Sequence, residues 1–145
     1  MKKREKFVLV LAPLLISAIL ISGCLHQKQQ TSPEDVVKVA LDNLIKKNYE
    51  KAFSYFIDGN DNPLSQETKD QFKSNVEQTP VVSYKVKDSI DLTPNMPEYA
   101  ILNRTIFKEA KIVSFTITSK DERSEDEKAI LVQHEGVWKV LLATS

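Results

Sequence analysis

At 145 residues the chain has room for one domain and little else. Its 20 basic and 20 acidic side chains balance, and only three glycines and one cysteine occur. A disulfide scaffold is thereby excluded, so ordinary burial must hold the fold.

The first segment carries an address. Met1 to Lys6 is a basic cluster, Phe7 to Ile21 is uncharged and strongly apolar, and Ser22-Gly23-Cys24 follows. That order describes a secretory signal. As a helix the apolar run would reach only about 24 Å at 1.5 Å per residue, short of the roughly 30 Å of a hydrocarbon core. Ile21-Ser22-Gly23-Cys24 resembles the lipobox of bacterial lipoprotein precursors. The resemblance implies cleavage between Gly23 and Cys24, and a diacylglyceryl thioether on Cys24. The alternative is a buried cysteine at the end of an uncleaved anchor. Residues 1–23 are expected to be the signal peptide and 24–31 a lipidated cysteine with a flexible tether; residues 32–145 are expected to be the domain. The expected location is the extracytoplasmic face of the cell membrane, or the outer membrane in a host with two, since Leu25 follows the cysteine. His26 reads as tether.

Cleavage removes four basic residues and one acid, leaving 16 basic and 19 acidic side chains, a formal charge of −3. Nucleic-acid affinity depends on clustered cations, so no nucleic-acid partner is expected.

Behind the tether, Ser32-Pro33-Glu34-Asp35 is a helix start, with Ser32 as cap and Pro33 in the first turn. Val36, Val37, Ala40, Leu41, Leu44 and Ile45 then share one face. Tyr49 to Ile57 reads as a shorter second helix, Asp58 to Pro63 as a loop, and Ser65 as the cap of a third helix lined by Leu64, Thr68, Phe72 and Val76. From Pro80 the period changes to two. Val82, Tyr84 and Val86 alternate with polar residues, and Ile90 and Leu92 prolong the strand. Pro94 and Pro97 bracket a turn, and Tyr99, Ile101, Asn103, Thr105 and Phe107 suggest another strand. Ile112 to Ser119 is a strand, Asp121 to Glu127 a charged hairpin loop, and Lys128 to His134 a strand. Glu135-Gly136 turns into Val137 to Leu142.

Helices first and an antiparallel meander after them predict an α+β domain, with helices on one face of a curved antiparallel sheet of four to five strands. Ser32 to Val37, leading to Asn48-Tyr49-Glu50-Lys51-Ala52-Phe53, resembles the opening of small bacterial lipoprotein domains with the nuclear-transport-factor-2-like fold. Glu135-Gly136-Val137-Trp138-Lys139-Val140 is similar to their last hairpin. The resemblance implies a bent sheet wrapped on a helix around a cone-shaped apolar cavity, and dimerisation through the open sheet face.

Some members of that fold are enzymes of the ketosteroid isomerase and scytalone dehydratase type, which set a base in a dry pocket against hydroxyl donors. Here Asp91 or His134 would be the base, and Tyr55, Tyr84 or Tyr99 the donors. Trp138 would be core, or a pocket wall. Against this, Asp91 sits where the strand pattern breaks and His134 precedes a turn, positions that turn and strand-end residues ordinarily take. No cysteine or histidine cluster has metal-ligand spacing, and no glycine-rich phosphate loop or Gly-x-Ser-x-Gly context occurs. The expectation is a non-enzymatic, lipid-anchored domain without cofactor or metal, which binds a small apolar ligand or an envelope protein. The alternatives are a small pocket enzyme and a purely structural envelope component.

Overall fold

The computed structural model describes residues 31–142, apart from the side chain of His134. The expected signal peptide, the lipobox-like Ile21 to Cys24 and most of the expected tether lie outside the described residues.

Helix α1 (Pro33–Ile45) starts as its sequence dictates. The Ser32 Oγ accepts from the Asp35 amide at 3.2 Å, with Pro33 in the first turn. Its apolar stripe of Val36, Val37, Ala40, Leu41 and Leu44 is buried. Asn43, also buried, is satisfied because its Nδ2 donates to the Val39 carbonyl at 2.7 Å.

Helix α2 spans only Tyr49–Phe53, and Phe56–Ile57 form a two-residue strand, β1. The expected helix through Ile57 is therefore corrected. The cause is the sheet edge nearby: Val140 donates to the Tyr55 carbonyl at 2.8 Å, and Leu142 to that of Ile57 at 2.9 Å. Extended backbone also sends neighbours to opposite sheet faces. Phe56 and Ile57 thereby enter two different cores, which successive helical residues would not do.

Asp58 organises the following loop, its Oδ1 accepting from the amides of Asn60 and Asn62. These bonds, with Asn62 first, hold its carboxyl below the usual range despite some desolvation. Helix α3 (Gln66–Gln78) is capped by Ser65 and buries no residue fully. Its attachment is aromatic: Phe72 meets Phe53 and Phe56 at ring-centroid distances of 5.8 and 5.5 Å.

Strands β2 (Val81–Asp91), β3 (Glu109–Ser119), β4 (Ser124–His134) and β5 (Val137–Leu141) complete a sheet ordered β1-β5-β4-β3-β2. All neighbours are antiparallel except β1 and β5, so the expected α+β domain with helices on a sheet of four to five strands is what forms, with the two-residue β1 making the sheet mixed. Two register irregularities in β2 and the edge lysines Lys85 and Lys87 discourage pairing with another chain. Glu135 (φ 51°) and Gly136 (φ 78°) both sit in the left-handed region, as a two-residue hairpin turn requires.

Two other expectations are corrected. The charged run Asp121 to Glu127 is not all loop, because β4 begins at Ser124. One of its acids is held across the sheet: Asp126 accepts from Lys87 Nζ and from Thr116 Oγ1, both at 2.7 Å. The Lys87 ammonium first, then Thr116, holds the Asp126 carboxyl below its ordinary range. The strand expected over Tyr99 to Phe107 is absent. Pro97–Ile101 form a 3₁₀ turn instead, and the carbonyl of Asn103 accepts from the amides of Ile106 and Phe107. This segment does not pair with the open outer edge of β2. It folds across the face opposite the helices, where Leu92 and Phe107 join Ile112, Ile130, Val132 and Leu141 in a second core.

Candidate functional site

Between α1 and the inner sheet face lies an apolar cleft of about 380 Å³. Val37, Ala40, Leu41 and Leu44 of α1 form one wall, and Phe115, Ala129, Val140 and Leu142 form the other. Phe56 and Phe72 also line it, and Glu127 and Lys128 are its charged residues. Both walls follow from local rules. The helix presents residues three and four apart, and the strands present every second residue. A cleft of this size and lining suits a small apolar molecule. A larger open groove of about 670 Å³ between α2 and α3 is charged, with Lys69 facing Glu50 at 3.6 Å and Lys73 over the Tyr49 ring. Among the described residues no group of three or more His, Cys, Asp or Glu is placed to hold a metal ion.

The residues nominated from sequence are dispersed. Tyr55 and Tyr84 pack partly buried against the helix-side core, to which Trp138 belongs as a buried member. Tyr99 is on the opposite face, where Arg104 lies 5.3 Å from its ring centroid. The side chain of Asp91 is 77 % exposed and meets Lys111 Nζ at 2.7 Å, so this carboxylate is not in a dry pocket. The backbone of His134 pairs with Val137, and its side chain lies outside those described. Sequence reasoning did not single out Phe56 or Phe115 as cleft residues. The alternation of β3 carries the signal for Phe115, since it shares a face with buried Val113.

Tyr84 is committed elsewhere. Its hydroxyl reaches Asp42 Oδ1 at 2.8 Å and the Lys38 carbonyl at 3.2 Å, tying β2 to the outer side of α1. Partial burial first, then the Asp42 carboxylate, pushes its pKa up to about 12. The folded state thus holds this proton more tightly than the unfolded chain. The resulting stability is complete below pH 10 and is lost as pH rises towards 12. Tyr84→Phe is expected to flatten the alkaline part of a stability-versus-pH curve, measured by urea unfolding between pH 9 and about 12. An unchanged alkaline slope would refute the assignment.

No family model matches the sequence, and no curated protein does. The structure aligns with that of a Campylobacter jejuni protein named as a candidate NTF2-like transpeptidase, with a TM-score of 0.51 and 15 % identity. The alignment covers 77 % of this chain and 99 % of that one. The fold is NTF2-like. At this identity the likeness is one of architecture alone. The apolar cleft of this chain lies between α1 and the sheet.

Proposed function

We propose that this chain is a lipoprotein anchored through Cys24 on the extracytoplasmic face of a membrane, and that its NTF2-like domain binds a small apolar ligand without catalysis. The lipobox supports the anchor. One observation carries the ligand: apart from Glu127 and Lys128 the cleft is lined by Phe, Leu, Ile, Val and Ala, while the nominated acid Asp91 lies in water beside Lys111. A proton-transfer enzyme needs its base desolvated beside the substrate. A carrier needs only shape and apolar area.

The test is native mass spectrometry of the protein isolated from its own envelope, with and without Phe115→Glu. Extra mass that disappears on denaturation is expected in the parent and strongly reduced in the variant, because Phe115 is a half-buried wall residue. A parent that carries no extra mass, and also fails to take up an apolar fluorescent probe, would sink the carrier reading.

A further inference from the structure

We propose that the end of the domain nearest the tether docks on anionic lipid, with Arg104 and Lys108 as the cations that meet headgroup phosphates. This rests on the reading of Cys24 as the lipidated residue.

The first argument is directional. The Ser89 hydroxyl bonds the Glu34 carboxylate and the Tyr84 hydroxyl bonds Asp42, so α1 runs antiparallel to β2 and begins beside its last residues. Seven residues, Leu25 to Thr31, separate Cys24 from the cap Ser32. A chain of that length spans at most about 25 Å. Whatever lies at this end of the sheet is therefore held close to the bilayer surface, where tethering makes the local lipid concentration high. What lies there is the segment Leu92 to Lys108, which leaves β2 and returns to β3 at that end, together with the β4–β5 turn.

The second argument is chemical. The segment frames a cavity of about 330 Å³, with buried Leu92 and Phe107 among its lining and Tyr99, Arg104 and Lys108 around them. Neighbouring lysines are already neutralised, Lys87 by Asp126, Lys111 by Asp91 and Lys128 by Glu98. Arg104 meets a tyrosine ring, and neither it nor Lys108 has a carboxylate within ion-pair distance among the described residues. By strand alternation Glu109 takes the opposite sheet face from Ala110, which lines the cavity. Ile101 of the same segment is 49 % exposed and suits the interfacial layer. Two unneutralised cations over an apolar floor match a phosphate that carries acyl chains. The segment is also long for a connection whose one regular element is the short 3₁₀ turn Pro97–Ile101, a length that usually marks function. It is pinned rather than loose, since Asn103 Oδ1 accepts from both the amide and the hydroxyl of Thr105.

The test uses the lipidated mature protein reconstituted in vesicles of phosphatidylcholine, alone or mixed equally with phosphatidylglycerol. Amide exchange over 99–108 is expected to slow several-fold in the mixed vesicles, with no change at the far turn, Lys120 to Arg123. Each cation near an anionic surface is worth about fivefold in binding, so Arg104→Gln with Lys108→Gln should lower the docked fraction by an order of magnitude and abolish the difference. Equal exchange in both vesicle types would overturn docking, and so would protection that survives in the double variant. Protection produced by inorganic phosphate over phosphatidylcholine alone would overturn it in favour of a soluble anion. Intact mass separates the two readings. Protein without a diacylglyceryl group fails the assignment of Cys24, whereas lipidated protein with unchanged exchange fails the docking alone.

Discussion

Replacing Cys24 with serine is expected to leave the chain as a full-length precursor, heavier than the mature polypeptide by residues 1–23 and lacking acyl chains. The chemistry is all or none. Thioether formation needs a nucleophilic sulfur, and a serine hydroxyl is far less acidic than a thiol. Without the lipid, the small-residue site Ser22-Gly23 is not presented for cleavage. Anchoring is lost with it, since each buried methylene of an acyl chain contributes about 0.8 kcal/mol and two chains make attachment stable. Mass spectrometry of the membrane fraction, with fatty-acid labelling of both forms, reads the outcome. Normal processing of the serine variant would return Cys24 to the alternative of an ordinary buried cysteine.

The second large effect belongs to the face of the sheet without helices. Phe107→Ala should cost about 3–5 kcal/mol, the range for deleting a fully buried aromatic ring. Phe107 is 2 % exposed and is the largest of the fully buried side chains among the described residues. It fastens the long segment to Ile112, Ile130, Val132 and Leu141. Denaturant titration would show the loss as a lower midpoint with little change in slope. A cost below about 1 kcal/mol would mean that the segment rests on the sheet without supporting it.

Much of the helix side was legible because its signals are local. Ser32 and Ser65 cap where a serine before a helical period should, and the α1 stripe is the buried one. The turn at Glu135-Gly136 and the strands around it also follow from short-range chemistry. What failed depended on neighbours distant in sequence. Phe56-Ile57 is two residues long, and only the β5 edge makes it a strand. Tyr99 to Phe107 alternates as a strand would, but it pairs with no strand and packs apolar residues on the sheet face instead. The charged start of β4 looked like a loop until Lys87 and Thr116 were found across from Asp126. The cleft was foreseen through the family resemblance, but its aromatic residues Phe56 and Phe115 were not named, since a wall is a property of two elements at once. The nominated bases and donors had the right chemistry individually and no common destination.

The pairing of β1 with β5 sets an order in time. The last strand, Val137–Leu141, lies between β1 and β4, and it supplies Trp138 and Val140 to the helix-side core. A chain made N-terminus first therefore lacks the partner of β1 until Val137–Leu141 has emerged. Contacts so far apart in sequence also slow closure. Until that strand emerges, Phe56–Ile57 have no sheet edge to join, and the helix-side core lacks Trp138 and Val140.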